Sequence, residues 1–442
     1  MTIVFRQIVK LLFNSKERKS EKAEEFLKSG NVKMSFKFYK AAINDYTKAI
    51  EYNPHNAQAY TNRGAAKAML GEYTASLEDC NQAIEIDPEY YNAYDIRGFA
   101  KYDGLKDYAG AILDYLKALT INPDDDNIYH KLGVAKEGLK DFSGAINDYT
   151  KAIEINPYNE VAYADRGHAK AILKEYRGAI HDYSKVIDLN SNDFDAYFNR
   201  GFAKKELKDY KGAIEDYTKV IEINPKHVTA YFNRGVTKSD LEDKEGAIED
   251  YTKAIEIDSR YTNSYINRGI AKDRLKDISG AILDFNKAIE IDPDNAYAYR
   301  NRGISKQMKG DFEGAIIDYN KGIELEPNNE GTYYNRGVVH RALGNYEQAI
   351  NDFNKTIARN PMMEDAYLGR GLSKLAIKDF KGAIFDFDRA LEIKKDSADT
   401  FCARGFAKFS INDREGARLD WSHAHDLGDS SASDYIKEYC KE

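Results

Sequence analysis

The pentapeptide YFNRG occupies residues 197–201 and returns unchanged at 231–235, while YTNRG, YINRG, YRNRG and YYNRG begin at Tyr60, Tyr265, Tyr299 and Tyr333. A ring, an amide, a cation and a glycine held in one order call first for a search for internal repeats. Aligning on the glycine gives Gly30, Gly64, Gly98, Gly133, Gly167, Gly201, Gly235, Gly269, Gly303, Gly337, Gly371 and Gly405, spaced by 34 residues except for one interval of 35. The extra residue lies in KYDGLKDY, which starts at Lys101. With Ala57 to Tyr90 numbered as slots 1 to 34, twelve units run from Ala23 to Ser431.

Each unit reads as two helices. Slots 4, 8 and 11 share one helical face, and slots 20, 24 and 27 make the corresponding stripe in the second half. Slot 16 is commonly acidic, as at Asp141 and Asp209, which suits the N-terminus of the second helix. All eight prolines fall in slot 32, where a missing N–H and a restricted preceding residue end a helix. Slot 8 is always glycine and slot 20 is alanine except at Ser76, so two backbones can approach closely. Slot 4 is Tyr or Phe throughout, and slot 24 usually is, with Cys80 and Trp421 as exceptions.

A 34-residue helix pair with an aromatic slot 4, Gly in slot 8, Ala in slots 20 and 27, an aromatic slot 24 and Pro in slot 32 resembles the tetratricopeptide repeat family. The resemblance implies an all-α fold, a right-handed superhelical α-solenoid whose first helices line a concave groove for proteins or peptides. The tail from Ala432 to Glu442 begins another first helix with Tyr435 in slot 4, as the solvating helix of such arrays does. Residues 1–22 are expected to form an amphipathic helix that either covers the first repeat or rests on a membrane surface.

The chain departs from the family pattern in slots 7 and 11. Arg fills ten of twelve slot-7 positions and Lys eleven of twelve slot-11 positions, while slot 23 is Asp in every unit. Arg200, Arg234 and their equivalents are therefore expected to clasp Asp216, Asp250 or an Asp of the adjoining unit. A local alternative pairs the slot-23 Asp with a Lys or Arg three residues on.

Slot 6 is Asn at Asn62, Asn199, Asn233, Asn267, Asn301 and Asn335. An amide offers both a donor and an acceptor, so a row of them can hold peptide backbone without reading side chains. The row is similar to the asparagine ladder of O-linked N-acetylglucosamine transferases; a solvated polar row is the competing reading. By resemblance the neighbouring groove positions include Phe198, Phe202, Phe232 and Tyr334, with Lys205, Arg274, Arg300 and Arg341 adding positive charge. Cochaperone-type repeats hold a terminal carboxylate with Lys in slot 5, Asn in slot 9 and Asn in the next slot 6. Asn31 and Asn62 match two of these, but Leu27 stands where the cation belongs.

The formal net charge of −8 disfavours a broad phosphate-binding surface, so no nucleic-acid role is expected. Cys80, Cys402 and Cys440 lie far apart, which suggests neither a disulfide framework nor a zinc site and fits a cytoplasmic location. No phosphate loop, HExxH or calcium-loop pattern occurs, and the aspartates of NPDDDN (residues 122–127) read as a solvated turn. No catalytic residue, metal, cofactor or small-molecule substrate is expected. The favoured function is a noncatalytic scaffold that binds an extended peptide or partner protein. The alternative is a self-associating array, or a membrane-assembly organiser that uses the N-terminal helix.

Overall fold

The computed structural model describes residues 2–439, with side chains from residue 17 onward. Among the described residues there are twenty-five α-helices, one π-helical turn and no strand, an all-α solenoid of tandem helix pairs. The chain divides into two compact units, Met1–Pro225 and Lys226–Glu442, of six repeats each.

Repeat six shows how a unit is built. Its first helix, Phe194–Glu206, and its second, Tyr210–Ile223, are antiparallel neighbours. Between them Lys208 is left-handed, with φ 63, and the Asp209 N–H reaches back to the Lys204 carbonyl at 2.9 Å, closing a Schellman turn. Asp209 then caps the second helix by accepting from the Gly212 N–H at 3.1 Å. The second helix stops at Ile223, just before Pro225. Slot 15 is left-handed in every repeat, yet nine of the twelve residues there carry side chains and only Gly71, Gly310 and Gly344 do not.

The core repeats as regularly as the turns. Slot-24 rings such as Tyr149, Tyr217, Tyr319, Phe353 and Phe387 are fully buried, flanked by slot-20 alanines that are also fully buried. Each ring lies across the slot-8 glycine of its own repeat: a Cβ added at Gly303 would stand 2.6 Å from Tyr319 Cε1. Within each unit a second helix packs on the first helix of its repeat and, where the unit continues, on the next first helix. Along most of each unit consecutive first helices also touch, whereas consecutive second helices scarcely do, so the first-helix layer is the tighter, inner one.

The thirty-fifth residue of repeat three is absorbed by the π-helical turn Ala100–Gly104, which continues the first helix Tyr91–Phe99. Tyr73 of the preceding repeat pins it: its hydroxyl donates to Asp103 at 2.5 Å, and its ring lies so close to Gly104 that no Cβ would fit. At the amino end, one helix runs from Thr2 to Ser35 without a break at residue 22. The capping or membrane role expected for residues 1–22 turns on side chains of residues 1–16, which lie outside the described residues. From Ala23 onward this helix is packed, with Phe26 stacked on Tyr52 at 5.8 Å. At the carboxyl end, helix Ala432–Tyr439 sets Tyr435 against Phe406 and Trp421, at 4.8 and 5.9 Å, and so covers the last repeat. Cys440 lies outside the described residues.

Candidate functional site

The residues of YFNRG serve different partners. In repeat six, Arg200 donates from Nε and Nη2 to the two carboxylate oxygens of Asp216, at 3.0 and 2.7 Å. Lys204 adds a second cation at 2.8 Å from Asp216 Oδ2, and the Arg200 guanidinium lies 5.4 Å from the Tyr197 ring centroid. The Asp belongs to the same repeat as the Arg, an assignment the sequence left open. The remaining nitrogen, Nη1, reaches the preceding repeat and donates to Ser184 at 3.0 Å. Arg63, Arg97, Arg166, Arg268, Arg302, Arg336, Arg370 and Arg404 make the same three-way contact, with Thr, Asn or Asp as the acceptor in slot 25. Arg234 pairs with Asp250 in the same bidentate way, at 2.9 and 2.6 Å.

The local alternative places its partners elsewhere. Slot-26 lysines such as Lys219 and Lys253 pair with the acid three residues on, Glu222 and Glu256, at 2.6 and 2.7 Å. Two repeats lack the arginine. In repeat one Ser29 donates to Asp45 at 2.6 Å, beside Lys33. In repeat four slot 7 is Leu132, and the preceding slot 25 is correspondingly Leu116. Asp148 there keeps only Lys136, and burial raises its pKa against the lowering pull of that lysine.

Because the arginines are turned toward their aspartates, the asparagines set the character of the first-helix face. All six are half-buried. In the unit Lys226–Glu442 they alternate: Asn233 and Asn301 donate to carbonyls of their own helices, Thr229 and Tyr297, at 2.8 and 2.7 Å, while Asn267 and Asn335 make no side-chain hydrogen bond among the described residues. The first pair keeps Oδ1 for an incoming N–H; the second keeps both donor and acceptor. In the other unit Asn199 makes no such bond either, and Asn62 donates to Asn31 Oδ1 at 2.8 Å. Asn31 and Asn62 line a cavity of about 310 Å³ with Met34, Ser35, Tyr46 and Ala65. Leu27, 3 % exposed, belongs to the core below and presents nothing to it.

Three family models match this chain. Two described as tetratricopeptide repeat cover residues 57–90, 194–227 and 332–363, and 126–159 and 228–261. A third, described as TPR repeat, covers 30–71, 105–140, 167–208, 274–310 and 308–343. The chain is a tetratricopeptide repeat protein. Among solved structures it is similar to MamA, at 26% identity over 37% of this chain and 96% of that one, with a TM-score of 0.37. It is also similar to YrrB, described as a TPR protein with an unusual peptide-binding site, at 25% identity over 42% and 95% with a TM-score of 0.38. Tom70 of yeast matches at 19% identity over 94% of both chains, with a TM-score of 0.39. No curated protein matches.

As a tetratricopeptide array the chain is a protein-interaction scaffold in the broad sense. Its expected groove aromatics are largely spent on the repeats themselves. Phe198, Phe232 and Tyr334 lean on the slot-24 ring of their own repeats, Tyr217, Tyr251 and Phe353, at 5.6, 5.9 and 6.0 Å. Phe202 is 42% exposed and meets Tyr176 edge-on at 6.5 Å. Arg300 stacks 4.8 Å from the Tyr297 ring, Arg274 is exposed, and Lys205 and Arg341 are half-buried, the latter with Nε lacking a hydrogen-bond partner. In NPDDDN, Asp125 accepts from the Asn127 and Ile128 N–H groups of its own turn, and Asp126 accepts from the side-chain amides of Asn156 and Asn159 in the next one. Burial pushes the thiols of Cys80 and Cys402 up to about 12, which makes them poor nucleophiles. Among the described residues no helix is long and apolar enough to cross a membrane, and no metal-ligating group of three occurs.

The slot-11 exception gives a pH test. His340 replaces the usual lysine, 3.9 Å from Asp352, and burial holds its pKa below 6.5 despite the carboxylate, with Arg336 adding to the lowering. The unfolded chain then binds the proton more readily, so stability is full above pH 6.5 and falls as the pH drops below it. His340→Lys is expected to add about 1 kcal/mol and to abolish that acid-side loss. Hydrogen exchange of residues 330–359 at pH 5.5 and 7.5 reads both effects; equal acid sensitivity in the two proteins would refute the assignment.

Proposed function

We propose that the first-helix face holds an extended segment of a partner protein by its backbone, and that the chain acts as a noncatalytic adaptor. The observation that carries this reading is the half-buried row Asn233, Asn267, Asn301 and Asn335 on consecutive first helices, beside arginines already committed to carboxylates. Helices pack about 8–10 Å apart, and an extended chain advances about 3.3 Å per residue. One amide therefore meets roughly every third residue of the ligand. Such spacing lets the same amide role recur without demanding one side-chain sequence.

The test replaces Asn199, Asn233, Asn267, Asn301 and Asn335 with Ala together and compares prey captured by the two proteins. Selective loss of prey, with far-ultraviolet circular dichroism and melting unchanged, is expected; an unchanged prey set rejects the amide row as the contact. If the prey prove to be further copies of this chain, the self-associating array takes its place.

A further inference from the structure

The turn of the first repeat breaks the pattern that the other turns keep. Slot 16 is Asp or Glu in ten of the other repeats and Asn345 in one, and its aspartates cap the helix that follows, as Asp141 and Asp209 do. In repeat one that slot is Phe38, which makes no capping hydrogen bond to helix Tyr39–Tyr52. Slot 14 departs with it, since Phe36 stands where leucine or isoleucine is usual. Lys37 between them is left-handed, with φ 60, and the two rings stack at 6.3 Å. Phe36 is 67% exposed and Phe38 63%, against 51% at most for the leucines and isoleucines of slot 14. Val32, one helical turn before Phe36, is exposed as well. Phe38, Tyr39, Ala41 and Leu70 line a hollow of about 380 Å³ that Lys37 and Lys40 complete.

Exchanging a capping acid for an exposed ring gives up a hydrogen bond and adds apolar surface, so neither effect stabilises the fold. The cations beside the rings are unspent. Lys37 and Lys40 are exposed and make no ion pair among the described residues, whereas Lys33 is held by Asp45. The charge bias extends beyond the turn: residues 1–56 hold eleven Lys and Arg against six Asp and Glu, while the rest of the chain holds 54 against 67. An anionic surface therefore draws this end forward and repels the remainder. The rings project from the tip of a three-residue turn, a convex shape that enters a lipid headgroup layer, and the lysine stems beside them can lie along its apolar edge with their charges at the phosphates. We propose that the Phe36–Lys37–Phe38 turn docks the first repeat on an anionic lipid bilayer. Rings and cations each bind weakly, so the two act together. The contact shares no residue with the asparagine row. It is also separate from residues 1–16, because helix Thr2–Ser35 rises about 1.5 Å per residue and so sets Phe36 roughly 30 Å from residue 16.

The reporter is the full chain with Phe36→Trp, since Trp421 is the one native tryptophan and is fully buried. It is titrated with vesicles of brominated phosphatidylcholine and phosphatidylserine. After subtraction of the unmodified chain, its emission is expected to shift blue and to fall at least twofold. A Leu207→Trp protein, which carries the same reporter in slot 14 of repeat six, should not respond. Vesicles of brominated phosphatidylcholine alone, or Lys37→Gln with Lys40→Gln in the reporter protein, should raise the lipid concentration at half-effect at least fivefold. Phe38→Asp in the same protein, which restores the usual acid, should do likewise while hydrogen exchange of residues 39–52 stays as slow or slows further. An unquenched reporter, even on protein that floats with the vesicles, would overturn the proposal, as would equal quenching of the Leu207→Trp protein or an equal response to phosphatidylcholine alone. A blue shift that grows with protein concentration in the absence of lipid would overturn it too, because a second copy of the chain would then cover the turn.

Discussion

Asp216→Ala is expected to destabilise repeat six by about 3–5 kcal/mol, the cost of leaving a buried cation without its partner. Two cations lose theirs at once: Arg200 and Lys204 have side chains 18% and 17% exposed, and both face a carboxylate 3% exposed. Arg200→Ala should cost less, because Lys204 still neutralises the aspartate. In the double variant the losses should fall short of additive by more than 1 kcal/mol, as contacting charges do. Simple additivity would mean that the bidentate geometry carries no coupling. A tandem array opens locally, so hydrogen exchange of residues 194–223 is the measurement that isolates the effect from global melting.

Gly303→Val is expected to cost about 3 kcal/mol through overpacking. The Tyr319 ring has nowhere to retreat: it is fully buried, and its hydroxyl donates to Gln307 at 2.9 Å. Valine also pays for its branched side chain in a helix, although glycine is the poorer helix former. Position matters more than residue type. At Gly337 an added Cβ would meet Phe353 at 3.1 Å, so Gly337→Ala should be milder than Gly303→Ala, whose Cβ meets Tyr319 at 2.6 Å. Urea unfolding of the two alanine variants ranks them, and the reverse order would show that the ring yields more easily than its burial implies.

Much of this architecture is written in the period. Prolines in slot 32, acids in slot 16 and glycines facing rings are each explained by one local requirement, so repetition makes them readable. The Arg–Asp clasp is legible as an invariant Asp slot and a nearly invariant Arg slot, but its partition between repeats is not, because 16 residues forward and an adjoining unit look alike to a helical period. The third partner was hidden for another reason. Thr, Ser, Asn and Asp in slot 25 share only a short acceptor, so no single letter recurs. Lysine in the left-handed slot 15 carries no turn signal at all, since Lys140, Lys174 and Lys208 adopt a conformation usually left to glycine. The slot-5 rings belong by resemblance to the groove, yet Phe232 and Tyr334 lean inward, a choice made by packing across two helices.

The reach of the arginines back to the preceding repeat within each unit has an evolutionary consequence. A unit with a donor at its front and an acceptor at its rear can follow any other such unit, so duplication, deletion or shuffling of whole units leaves every joint chemically matched. Two places resist this interchange. The first unit carries Ser29 in place of the guanidinium, and at the joint between the third and fourth Leu116 and Leu132 stand where the acceptor and the donor would be.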